Sequence, residues 1–211
     1  TSTMSTASTV PPEPLALTDA AFIAGAEVPA ALLGRLNELP DWRQHLDRLP
    51  LQLARDGYVL LRGALQRGAV LAARRDVLQR LAAVGEIAEP SEAALATGRS
   101  QRAALHPDLG AFWQQVCESP ALRSVSHGLA LADVSAAVLG CATVPFDFLW
   151  LRTMAQGRAS PLHFDHVYMN RGSQRLVTAW IPLGDVPLRA GPLVVVGLVQ
   201  LQLPVVETLA Q

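Results

Sequence analysis

Lysine is missing from this sequence: all 17 basic residues are arginine. That excludes chemistry built on a lysine amine, Schiff-base formation and the phosphate-binding P-loop among them. A charge excess is missing too. The 211 residues carry 17 basic and 18 acidic groups, a formal net charge of -1, with no basic block. The electrostatic footprint of a nucleic-acid binder is therefore absent, and no DNA or RNA partner is expected. Cysteine is limited to Cys117 and Cys141, with no CxxC and no Cys/His cluster. Neither a structural zinc site nor a disulfide framework is implied, and a reducing, cytoplasmic setting is expected. The uncharged stretch Leu193 to Val206 is interrupted by Gly197 and Pro204. It is too short and too broken to span a bilayer.

What is present is a chain 50% hydrophobic and 17% charged, enough for one globular domain. Residues 1–16 combine a Ser/Thr run with Pro11, Pro12 and Pro14; they read as a disordered lead rather than a signal peptide. The first residue is Thr1 and the first Met is Met4, so a processed or an incomplete N-terminus both remain open. The domain is expected over 17–211, with a helical part to about 140, a β-rich part over about 141–200 and a divergent tail over 197–211.

Between Asp41 and Asp56 the apolar positions Trp42, Leu46, Leu49 and Leu53 recur at helical spacing, with Pro50 as an interruption. Tyr58 to Leu61, bracketed by Gly57 and Gly63, reads as a short buried strand. From Gln66 to Val84 the apolar Val70, Val77, Leu78, Leu81 and Val84 fall on one face and Arg67, Arg74, Arg75 and Gln79 mostly on the other, which predicts a helix. Residues 86–102 lack a stripe and read as a loop with helical turns. Asp108 is placed to cap a helix carrying Phe112, Trp113 and Val116. Ser119-Pro120 supplies a cap and a first-turn proline for another, with Gly128 and Gly140 as stops.

Beyond Gly140 the pattern changes to short apolar runs divided by Gly, Pro, Ser and Asn. Strands are expected over 146–153, 161–168, 175–183 and 193–199. Helices followed by strands argue an α+β fold, with helices packed on a sheet. Tyr58, Phe112, Trp113 and Trp150 read as core aromatics, and the two cysteines as small buried hydrophobes.

Leu162-His163-Phe164-Asp165-His166 carries the sharpest chemistry. On a strand, residues two apart share a face, so His163 and Asp165 can converge on one point. An imidazole and a carboxylate on one side of an octahedral ion, completed by a second imidazole, make the facial triad of non-haem iron(II) oxygenases. A surface pair that hydrogen-bonds its neighbours is the plainer alternative, because about a quarter of an HxD is expected by chance in such a composition. His166 is out of phase with the pair.

Context raises the motif. Tyr168-Met169-Asn170-Arg171-Gly172-Ser173 follows it, then Leu176 to Val186 through Trp180, then Ala190-Gly191-Pro192-Leu193-Val194-Val195-Val196. With Asp56-Gly57-Tyr58-Val59-Leu60-Leu61-Arg62-Gly63 as an opening strand, this order resembles the phytanoyl-CoA dioxygenase family over about residues 42–196. The resemblance implies a double-stranded β-helix, jelly-roll or cupin-like, with helices on one side. It implies iron(II) and the co-substrate 2-oxoglutarate as cofactors, and dioxygen and a small-molecule or lipid-derived substrate as partners. His163 and Asp165 match the first two iron ligands, and Trp180 matches an aromatic position lining the 2-oxoglutarate pocket in some members, though plain core stays open for it. Related halogenases carry a small residue at the Asp165 position, so the carboxylate favours hydroxylation. Arg171 and Arg175 are either solvated turn residues or contacts for an anionic substrate.

Such a family member needs a later His and then an Arg for the far carboxylate of 2-oxoglutarate. No His follows His166 and no Arg follows Arg189 within these residues. The expectation is a barrel incomplete at its C-terminal end, as in a chain cut or frame-shifted near Val196, and either weak activity or a non-catalytic, partner-binding relative. His45, His106 and His127 lie in helical or loop regions and are not expected to substitute. Oligomeric state is not legible.

Overall fold

A computed structural model describes residues 20–23, 25–147, 149–154, 157–169, 171–196 and 204–206. The expected disordered lead over 1–16 lies outside the described residues, as does most of the tail over 197–211. The described residues open with a hairpin of β1 (Ala21–Ile23) and β2 (Ala26–Val28), antiparallel and turning at Gly25, whose φ of 82° suits a residue without Cβ. Six helices follow: α1 (Arg48–Asp56), α2 (Arg67–Ala83), α3 (Arg102–Leu105), α4 (Leu109–Cys117), α5 (Pro120–Ser126) and α6 (Leu129–Leu139). A single turn, α7 (His166–Met169), and an antiparallel pair, β3 (Val194–Val196) with β4 (Pro204–Val206), complete the α-helices and strands among the described residues, beside four short 3-10 turns. The fold is mixed helix and sheet, α+β, with small open sheets.

The sequence accounts for the helices locally. Pro50 lies inside α1 rather than interrupting it. It occupies the first turn, where its missing N–H has no intrahelical partner to lose. Gly57 closes α1 in the left-handed region at φ 79°. Along α2, Ala73, Val77 and Leu81 are buried, and Val84 just beyond the helix continues the stripe. Asp108 caps α4 by accepting from the Ala111 N–H at 3.0 Å, and Ser119 caps α5 by accepting from the Leu122 N–H at 3.1 Å. Gly140 ends α6 at φ 63°. The α2 stripe packs with Phe112, Val116, Leu122 and Val125 into the main core. A second cluster joins Trp42, Leu49 and Val138.

The strands depart from expectation. Tyr58 to Leu61 contributes one parallel bridge, Leu60 to Glu38, rather than a strand. Among the described residues, 146–153, 161–168 and 175–183 form no ladder, and 161–168 runs into the helical turn α7. Apolar alternation specifies an extended chain, but a strand needs a partner whose backbone groups meet its own. The extended segments nevertheless lie on the helices with strand periodicity. Leu149 and Leu151, and likewise Ile181 and Leu183, pack against the α2–α4–α5 core. Trp150 and Trp180, in alternate positions, are 56% and 38% exposed. Trp150 is therefore not a core aromatic: it stands on the uncovered side of its segment, with the Arg152 guanidinium 5.6 Å from its ring centre. Cys117 and Cys141 are half-buried rather than buried.

Candidate metal centre

His163 and Asp165 come together through a turn, not through a strand. Residues 161–164 are irregular, and the chain then coils, with the Tyr168 and Met169 N–H groups donating to the Asp165 carbonyl at 2.9 and 3.1 Å. That geometry leaves His163 Nε2 3.2 Å from Asp165 Oδ1, with the two side chains 36% and 27% exposed and so reachable from solvent. On the far side of the ring, His163 Nδ1 lies 2.7 Å from the Pro161 carbonyl. The Tyr168 ring stands edge-on to His163 at 6.5 Å.

These distances fix the chemistry of the pair. A carbonyl only accepts, so Nδ1 carries the hydrogen that faces Pro161; Nε2 then either donates to Asp165 in the charged ring or is bare in the neutral one. A bare nitrogen opposite a carboxylate oxygen is two lone pairs facing each other. The contact is favourable with a shared proton or with a cation held by both atoms. Two donors at roughly 2.1 Å from one ion, at right angles, stand about 3.0 Å apart. The observed 3.2 Å fits adjacent positions on an octahedral ion. Among the described residues no group of three His, Cys, Asp or Glu side chains is placed to hold a metal, so the pair provides two positions and no third donor joins it there.

His166, the first residue of α7, points its Nε2 at the Gln174 side-chain oxygen, 3.1 Å away, and not at the pair. His106 stacks on Phe112 at 4.7 Å, and His127 caps the end of α5, with its Nε2 2.8 Å from the Phe146 carbonyl. Trp180 projects from its extended segment, half-exposed. The Arg175 guanidinium donates to the Leu139 carbonyl at the end of α6, which ties it to the helices. Two cavities, of about 280 and 170 Å³, open elsewhere, the first beside Trp42, Arg43 and Arg62 and the second beside His106 and Phe112. Neither takes in His163, Asp165 or Trp180.

Sequence reasoning missed Pro161. Its contribution is a backbone carbonyl, which no side-chain pattern reports, although its place two residues before His163 is where an Nδ1 partner would stand. Gln174 was missed for the same reason as most partners in irregular chain: no periodicity announces it.

Compared with known proteins, the chain matches the family model described as phytanoyl-CoA dioxygenase over residues 53–197, more than half its length. No curated protein and no solved structure matches it.

Proposed function

The chain belongs to the phytanoyl-CoA dioxygenase family, and from that membership we propose that it is an iron(II)- and 2-oxoglutarate-dependent hydroxylase whose iron is held in part by His163 and Asp165. The substrate class is a small molecule or lipid-derived compound. The observation that carries the proposal is the approach of His163 Nε2 to Asp165 Oδ1 at 3.2 Å, with Nδ1 turned to the Pro161 carbonyl. Iron bound there, with 2-oxoglutarate as co-substrate, supplies the activation of dioxygen. The protein's own part is positional. The Pro161 carbonyl holds the imidazole in the ligating tautomer, a role that outer partners of metal-bound histidines commonly play. The Asp165 carboxylate offsets cationic charge, and Trp180 offers an aromatic wall to the co-substrate. In the same reading the segments around Leu149 and Ile181, unpaired among the described residues, correspond to positions that the family's double-stranded β-helix would occupy with strands. Their inward alternation onto the helices supports this.

A second reading, a non-catalytic relative, draws on one observation: the described residues bring no third donor to the pair. Anaerobic titration with iron(II) and then 2-oxoglutarate separates the two. A saturable visible charge-transfer band, lost in His163→Ala, supports the hydroxylase. Folded chain that gives no band supports the relative without catalysis.

A further inference from the structure

His127, at the end of α5, is half-buried and meets three groups that no single neutral ring can satisfy. Its Nε2 lies 2.8 Å from the Phe146 carbonyl and 2.8 Å from Arg123 Nη1, which also stands 3.3 Å from Nδ1. Its Nδ1 lies 2.8 Å from the Ser126 hydroxyl. That hydroxyl donates its one hydrogen to the Leu122 carbonyl at 3.1 Å, so it accepts from the ring and Nδ1 carries a hydrogen. Nε2 is then the one open choice. A carbonyl only accepts and a guanidinium only donates, so Phe146 calls for a hydrogen on Nε2 and Arg123 for a bare lone pair there. One proton decides which of two partners at the same distance is bonded.

The surrounding charges admit both states. Arg123 opposes a positive charge on the ring. Against it stand Glu118, beyond the end of α4, whose carboxylate pairs with Arg123 Nη2, and Asp147, whose Oδ1 lies 3.9 Å from Arg123 Nη1. Cys117 also faces Arg123 and Glu118, and burial pushes its thiol up, so it stays neutral. The guanidinium therefore has two carboxylates to turn to when the ring takes a proton. Phe146 opens the stretch whose Leu149 and Leu151 pack on the core. We infer that His127 is a proton-operated latch: the neutral ring accepts from Arg123, whereas the charged ring donates to the Phe146 carbonyl and fastens residues 146–151 to the end of α5. The latch closes as pH falls through the range in which histidines titrate and opens as pH rises.

The test uses the full chain without metal, so that its outcome is independent of the iron reading. Nitrogen NMR is followed from about pH 8 to about pH 5, above the range in which carboxylates ordinarily titrate. The expected result is that Nδ1 of His127 carries its hydrogen throughout and that Nε2 gains one on acidification. The Asp147 amide nitrogen, which shares a peptide plane with the Phe146 carbonyl, shifts with the same midpoint. Chymotrypsin cleavage after Phe146, normalised at each pH to a short peptide of the same sequence, falls roughly threefold to tenfold as the ring charges. In His127→Gln, whose amide does not titrate, both responses are lost. Circular dichroism confirms that the variant is folded, and the wild-type midpoints decide alone if it is not. A bare Nδ1 at neutral pH, a His127 titration that leaves the Asp147 amide and the cleavage rate unmoved, or a response that persists in folded His127→Gln overturns the proposal.

Discussion

Replacing Ser119 by Ala removes one oxygen atom from the junction between α2 and α5. Ser119 is 2% exposed, and its hydroxyl accepts from the Leu122 N–H at 3.1 Å. It also faces the Asp76 carboxylate on α2 and helps to lower its pKa. Loss of an N-cap costs about 1 kcal/mol in an open setting. Here water cannot replace the hydroxyl, and a buried N–H left unpaired costs roughly 1–3 kcal/mol. We expect a loss of about 2 kcal/mol, or about 4–8 °C in Tm for a chain of this size. Asp108→Ala is the internal control. It removes the equivalent hydrogen bond from α4 at an exposed position, where water fills in, and is expected to cost about 0.5–1 kcal/mol. The pH dependence adds a second signature. Burial works to raise the Asp76 pKa, but the Arg80 hydrogen bond, the Ser119 hydroxyl and the Arg80 charge together hold it below the usual value. A carboxylate lowered in the folded state stabilises above its unfolded pKa, and that contribution is lost as pH falls through the folded value. Without the hydroxyl the lowering is smaller, so the gap between wild type and Ser119→Ala narrows below about pH 4. Urea unfolding at neutral and acid pH measures both. A Ser119→Ala cost no greater than that of Asp108→Ala would refute the reasoning.

Gly128 precedes α6 at a point where an added Cβ would lie 2.1 Å from the Ser124 carbonyl oxygen. Gly128→Ala must displace backbone, and urea titration is expected to show a loss of about 1–3 kcal/mol. Arg102 pairs with Glu86, both side chains 18% exposed, while its guanidinium lies 4.2 Å from the Trp113 ring centre. Arg102→Ala strands a mostly buried carboxylate and loses the ring contact, so a cost of about 2–3 kcal/mol is expected from the urea midpoint. Arg102→Lys should recover only part of it. Asp56 is held below the usual carboxylate value by its hydrogen bond to Arg55, against the opposing effect of burial. Its stabilisation is therefore complete above about pH 4 and lost on further acidification. Asp56→Asn should flatten the acid limb of a Tm-against-pH curve.

The helices were legible because their signals are local. Asp108 and Ser119 stand where a cap must stand, Gly57 and Gly140 where a left-handed residue must close a helix, and the α2 stripe needs only its own spacing. The expected strands of the C-terminal third were legible only as extended chain. Leu149, Leu151, Ile181 and Leu183 do alternate inward, but pairing depends on partners distant in sequence, which alternation does not specify. The turn at α7 was missed although Phe164, Val167 and Tyr168 have helical spacing, because the HxD read with equal ease at strand spacing. His163 and Asp165 do lie against each other, but through a turn and not on the shared face of a strand. The Pro161 carbonyl that orients His163 left no trace in the side-chain pattern.

The most direct test of the metal pair is nitrogen NMR of the imidazoles in the full chain, with zinc(II) as a diamagnetic probe. The account predicts that His163 carries its proton on Nδ1, that zinc(II) shifts its Nε2 resonance with saturation, and that Asp165→Ala weakens the response while His166 stays unaffected. A neutral His163 ring with its proton on Nε2, or a zinc(II) response at His166 that leaves His163 unmoved, would contradict it.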